Sequence, residues 1–317
     1  MSRRPLAPLV LAALLAGCEL TEVSLAEPER QVVAEAFVRL SVRRGLDPRP
    51  SPAPLITVFL HHTLGATGTS GPVPDARVVV ARPSDGLAIT LEPTALGECV
   101  ITVPVSSTGT CYGVRVATPE LEKLGPGDRL TLRIELQDGG VLTSETVIPG
   151  RFELLSVRDG TACALPPLTG TEIVWSRSVG AWAYIADTYI FGLAALFPPP
   201  AEPVDDPLFL FGLSVSAQDT AIAFPREFGV FARGELNRDL ALLLQQGLPA
   251  EAAALITVAA VDRNWVNWAR GGNFNPSGQV RVPSVRGDGT GVFGSGVLRA
   301  FRVEVGSPAG PNLPACP

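Results

Sequence analysis

Arg129-Leu130-Thr131-Leu132-Arg133-Ile134-Glu135-Leu136 alternates polar and apolar side chains without a break, and this stretch decides the fold class. A period of two puts Leu130, Leu132, Ile134 and Leu136 on one face of an extended strand, with Arg129, Thr131, Arg133 and Glu135 on the other. Val32, Ala34, Ala36, Val38, Leu40 and Val42 repeat the pattern against Glu35, Arg39 and Ser41. Similar runs cover Leu55–Leu64, Ala76–Arg82, Leu87–Glu92, Cys99–Val105, Cys111–Val116 and Val141–Ile148. Turn residues separate them: Pro72-Val73-Pro74-Asp75, Ser84-Asp85-Gly86, Ser107-Thr108-Gly109, Gly125-Pro126-Gly127-Asp128 and Asp138-Gly139-Gly140. Short strands at this spacing, with almost no helical periodicity, predict an antiparallel β-sandwich over residues 30–150, closed by Pro149-Gly150.

Residues 151–306 read as a second β-rich domain, less regular than the first, with residues 307–317 as a tail. Strands are predicted at Glu172–Val179, Ala181–Phe191, Leu208–Ala217, Ala254–Asp262, Gln279–Arg286 and Val297–Val305. Two helical stretches interrupt them. Leu236, Leu240, Leu243 and Leu244 recur at helical spacing, with Asn237 near the start and Gly247 just past the end. Asp262 is placed to cap a short helix through Trp265 and Trp268, stopped by Gly271-Gly272. Pro198-Pro199-Pro200 to Pro207 reads as a stiff polar loop inserted between strands. The fold class is therefore mainly β, two sandwich domains with a few short helices.

The chain begins with a different signal. Arg3 and Arg4 precede an apolar run from Leu6 to Leu15, and Leu15-Ala16-Gly17-Cys18 follows. A positive start, a short apolar core and small residues before a cysteine are the order of a secretory signal. The run is too short to span a bilayer, which takes about twenty apolar residues. It resembles a bacterial lipobox, which implies removal of residues 1–17, acylation of Cys18 and a tether over residues 18–29. At about 0.8 kcal/mol per buried methylene, several acyl chains would hold the protein on a bilayer.

The signal takes two arginines and no acid with it, so 23 basic against 31 acidic residues leave a mature charge of −8. An acidic chain with Lys123 as its single lysine lacks the clustered positive charge that nucleic acid requires. With Cys18 assigned to lipid, Cys99, Cys111, Cys163 and Cys316 remain. An even number in an exported chain predicts two disulfides; of three connectivities, Cys99–Cys111 and Cys163–Cys316 are favoured. No zinc is expected, since the chain has no C-x-x-C pair.

Other constellations are weak. His61-His62 is the only histidine pair, and on a strand neighbouring rings point to opposite faces. Both read as core or edge histidines, leaving no convergent Ser-His-Asp set. Gly289-Thr290-Gly291-Val292-Phe293-Gly294 matches the dinucleotide pattern formally, but a strand-like run follows it where a helix is needed. A glycine-rich hairpin or bulge is expected instead. Glu202, Asp205 and Asp206 read as a solvated acidic loop rather than a calcium site. Trp175, Trp182 and Tyr184 are expected mainly in the core. If aromatics do form a ligand platform, Trp182, Trp265 and Trp268 are the candidates.

Several elements together resemble the outer-membrane lipoproteins of domain-of-unknown-function family 4249. They are the strand Arg30–Phe37 after the lipid cysteine, the strand Ile56–Leu60, and Pro72-Val73-Pro74-Asp75-Ala76-Arg77-Val78 as P-V-x-x-A-x-V. Leu124-Gly125-Pro126-Gly127-Asp128-Arg129-Leu130 matches L-x-P-G-D/K-x-L, and Asn275-Pro276 leads to the final glycine motif. The Pro198–Pro207 insertion and Pro283-Ser284-Val285-Arg286 depart from the pattern. The resemblance implies an immunoglobulin-like or carboxypeptidase-regulatory-like N-terminal domain. It also implies an accessory role beside TonB-dependent outer-membrane transporters. It carries over no catalytic residue, cofactor or metal. The resulting expectation is a non-enzymatic lipoprotein anchored in the outer membrane, with a glycan- or peptide-binding module as the alternative. Glu19, in place of aspartate after Cys18, disfavours inner-membrane retention by analogy.

Overall fold

The alternation at the centre of the chain is real and decides the packing. In the computed structural model Leu130, Leu132 and Ile134 are buried on β6 (Arg129–Glu135), while Arg129 and Arg133 are exposed. On β1 (Val32–Ser41) Val32, Ala34, Ala36 and Val38 join the same core as the β6 residues, while Phe37 on the opposite face is buried in a second cluster with Trp265 and Val266. Each fully buried leucine or isoleucine stabilises by about 1.5–3 kcal/mol. The structure describes residues 30–41, 56–63, 71–99, 108–114, 119–197, 204–227, 238–271, 282–306 and 313–317. Residues 1–29, including the signal, Cys18 and Glu19, lie outside them, as do Leu236, Asn237 and Asn275-Pro276.

The remaining strands are β2 (Ile56–His62), β3 (Arg77–Arg82), β4 (Leu87–Thr94), β5 (Thr110–Gly113), β7 (Val141–Val147), β8 (Ala162–Leu165) and β9 (Thr171–Val174). They continue with β10 (Ala183–Phe191), β11 (Leu208–Leu213), β12 (Ala221–Phe224), β13 (Ala253–Val261), β14 (Arg286–Gly287) and β15 (Gly289–Val305). The helices are α1 (Pro119–Glu122), α2 (Arg238–Gln246) and α3 (Arg263–Arg270). The protein is thus mainly β, with sandwich-like sheets and few short helices. One sheet runs in the order β11-β10-β13-β15-β1-β2-β5-β4-β3-β6-β7-β14, β8 joins it on β15, and β9 pairs with β12 alone. Only Asp288 separates β14 from β15, so the path returns on itself and its inner faces meet.

Strand β15 corrects two expectations. The glycine-rich segment is no hairpin but the first part of a seventeen-residue strand. That strand also pairs parallel with β1, from Val32 opposite Gly289 to Ser41 opposite Leu298, and parallel with β8. The sheets are therefore not purely antiparallel, and one of them runs continuously across Pro149-Gly150. Val297–Val305 was expected as strand, and the glycines explain why the first part was not: they weaken strand patterning and serve close approach. A Cβ on Gly291, at φ +136°, would stand 2.0 Å from the Ala34 carbonyl oxygen, and one on Gly294 would meet Trp265 Cβ at 2.9 Å.

Strands β8 and β12, four residues each, escaped the sequence reading because so short a run has no measurable period. Residues 282–285, read as strand, lie outside any element. Helix α2 ends as expected at Gly247, whose φ of +134° suits its position against the Leu168–Thr169 backbone. Asp206, flagged in the acidic loop, accepts hydrogen bonds from the Gly192 and Ala194 amides.

Both expected disulfides are present. Cys99–Cys111 joins β5 to the turn after β4, not two paired strand positions. Cys163–Cys316 spans 153 residues and ties residues 313–317 to β8, beside the Ala164–Pro314 and Cys316–Ala164 backbone bonds. Loop-closure entropy assigns about 3 kcal/mol to the first and about 5 kcal/mol to the second.

Candidate functional site

Helix α3 organises the candidate site. Asp262 caps it: the carboxylate accepts the Trp265 amide at 3.0 Å, the Ser295 amide at 3.1 Å and the Thr146 hydroxyl at 2.7 Å. Thr146 and Ser295 hydroxyls are themselves 2.7 Å apart, so β7, β15 and α3 meet at one buried acid. Burial raises the Asp262 pKa, against the lowering effect of those hydrogen bonds. The inner side of α3 carries Trp265, 4% exposed and 4.8 Å from the Phe37 ring. Its outer side presents Arg263, Asn264 and Asn267.

That outer side borders a polar cleft of about 770 Å³, floored by Thr131, Arg133, Thr143 and Glu145 on β6 and β7 and closed by residues 282–286. Three guanidinium groups line it, from Arg133, Arg263 and Arg286, against one carboxylate, Glu145. Glu145 is also paired with Arg129 at 3.1 Å. Arg133 binds Glu135 at 2.8 Å, and with Arg77 it holds the Glu135 carboxyl below its usual pKa. Asn264 donates to the Glu145 and Phe293 carbonyls, fixing the cleft wall. The surplus of positive charge is notable on an acidic chain. It fits an anionic or hydroxyl-rich ligand.

The three tryptophans put forward as a platform do not form one. Trp182 is 51% exposed, and the Arg263 guanidinium lies 5.0 Å over its ring at the cleft edge. Trp265 is core. Trp268 is half-buried, donates to Glu35 and packs edge-on to Phe37 at 5.1 Å. Helical spacing turned both inward onto β1, a burial that neither residue type nor spacing reveals. The arginines and asparagines of the cleft were missed because they converge from β6, β7, α3 and the segment before β14.

His61 stacks on Phe59 at 5.1 Å, and its Nδ1 lies 2.9 Å from the His62 carbonyl. Both histidines are half-buried at the end of β2. Among the described residues no group of three or more His, Cys, Asp or Glu is placed to hold a metal ion. The family-like motifs have structural work. Asp128 accepts from the Gly125 amide and from Arg82, which also binds Asp85 and the Lys123 carbonyl, clamping the Gly125–Asp128 turn. The buried Tyr112 hydroxyl accepts from the Ala76 amide, pinning the segment before β3; burial raises its pKa.

No family model matches the chain, and no curated protein matches it. Among solved structures, the fibronectin(III)-like modules of Clostridium thermocellum CbhA align at 9% identity over 86% of this chain and 94% of theirs, with a TM-score of 0.16. The sandwich description rests on the strands themselves.

Proposed function

We propose that the chain is a membrane-tethered, non-enzymatic lipoprotein that works by contact, as an accessory or assembly component beside an outer-membrane transporter. The Leu15-Ala16-Gly17-Cys18 sequence carries this reading. Two disulfides agree with an oxidising compartment. Among the described residues no helix is long and apolar enough to cross a membrane. Replacing Cys18 with alanine should move the full chain from the membrane to the soluble fraction, and the wild-type intact mass should include acyl chains on residue 18. Persistent membrane association of Cys18→Ala contradicts the tether. Purification of the native lipoprotein should recover a transporter in fixed ratio.

Trp182 under Arg263 at the rim of the basic cleft favours a second reading, a saccharide-binding module for acidic glycans. An aromatic face beside a guanidinium can stack a sugar ring and pair its carboxylate. Titration with a short polyuronate should then quench tryptophan fluorescence in a salt-sensitive manner, and Arg263→Ala should weaken binding about tenfold or more. Quenching that persists unchanged in both Trp182→Ala and Arg263→Ala removes this reading.

A further inference from the structure

The long sheet ends differently on its two sides. At one end β14 is two residues long and carries Arg286, the short and charged form in which natural sheets guard an edge. At the other end stands β11, Leu208-Phe209-Leu210-Phe211-Gly212-Leu213, with no charge, no proline and no break in its register against β10. The Ser214 amide donates to the Tyr184 carbonyl, which fixes the phase of that ladder. Hydrogen-bonded pairs alternate from there. Leu208, Leu210 and Gly212 therefore turn their backbone groups to β10, and Phe209, Phe211 and Leu213 turn theirs outward. Among the described residues those outward amides and carbonyls have no partner. Val215, 82% exposed, extends the apolar row just past the strand.

Beneath this edge, between β12 and β10, β11 and β13, lies a half-open pocket of about 460 Å³. Tyr184, Leu210, Ile222 and Phe224 give it apolar walls, and the backbone from Phe211 to Val215 runs along it. Its charged lining groups among the described residues are Asp219 and Glu227, both acidic, which accept the Ser216 and Ala223 amides. We propose that β11 takes up an extended basic segment of a partner protein as an added antiparallel strand. Phe209, Phe211 and Leu213 supply the backbone ladder, and the new strand lies about 4.8 Å beyond β11. Alternate apolar side chains of the segment enter the pocket, and a lysine or arginine among them meets the two carboxylates. A second copy of this chain cannot supply that cation from β11, which has no basic residue, and the chain is acidic as a whole, at −6. The inference depends on neither function proposed above.

The test uses the full chain and the peptide acetyl-Thr-Lys-Thr-Val-Thr-Val-Thr-amide, whose lysine and valines share one face. The peptide should bind saturably, slow amide exchange at Phe209, Phe211 and Leu213, and weaken about tenfold when glutamate replaces its lysine. Residues opposite one another in an antiparallel pair share a face, so the threonine amides point at β11. N-methylation of the threonine amides should therefore abolish binding, and N-methylation of the valine amides should spare it. Asp219→Asn combined with Glu227→Gln keeps both amide acceptors and should erase the preference for lysine over glutamate. Absence of saturable binding overturns the proposal: a dimer in sedimentation then gives the edge to a second copy, and a monomer means that the chain covers its own edge. Binding without slowed exchange at the three amides overturns it too, as do N-methylation effects that are equal or reversed. A lysine preference that survives the double variant overturns the role given to the two acids.

Discussion

Gly291→Ala should leave little folded protein, with a loss of more than about 4 kcal/mol, the range reserved for outright collisions and buried polar defects. The added methyl would sit 2.0 Å from the Ala34 oxygen and 2.8 Å from the Ala34 carbonyl carbon, in the ladder that joins β15 to β1. Neither side can yield cheaply, because β1 is also paired to β2 and β15 to β13. Gly86→Ala is the control: φ there is also positive, at +73°, but nothing lies within 4 Å. It should cost about 1 kcal/mol, the conformational penalty alone. Urea denaturation midpoints and soluble yield measure both. Similar losses at the two positions would mean that left-handed backbone, not close approach, demands glycine at Gly291.

The second large effect belongs to Asp262. Asp262→Ala removes the α3 cap and leaves the Ser295 amide and the Thr146 hydroxyl without their buried acceptor. A cap is worth about 1 kcal/mol and each of the two stranded buried groups about 1–3 kcal/mol, so a loss of about 3–7 kcal/mol is expected. Asp262→Asn should cost little: its oxygen can accept both amides, while its amino group donates to Thr146, which can donate to Ser295. The pair also separates charge from geometry. Burial raises the folded-state pKa of this carboxyl, so its share of stability is full below the unfolded value of about 4 and is lost as pH rises through the folded value. The wild type should therefore lose stability relative to Asp262→Asn from about pH 4 upward. Denaturation midpoints measured across that range check the sign; a flat difference would show that the acid is not penalised by its surroundings.

Much of this architecture was legible because it is local. A period-two pattern needs only neighbouring residues, so β1, β3, β6 and β7 could be read directly, and so could the Asp262 cap and the Gly247 stop. Both disulfide partners followed from an even cysteine count and sensible loop sizes. The Cys99 register was less legible, because it depends on a 3-10 turn after β4 that spacing does not reveal. Of the candidate site, the sequence offered Trp182 and the α3 boundaries. It did not offer the basic cleft, whose residues come from segments more than a hundred positions apart.

By itself, then, the amino-acid sequence determined a strand-rich chain, the inward faces of its regular strands and two covalent ties. Tertiary structure alone decided that the last long strand lies parallel to the first and crosses the boundary between the two halves. The reason is physical: patterning records whether a side chain faces water, but not which backbone lies beside it. At β15 the deciding contacts are made by glycines, which have no side chain to carry a pattern.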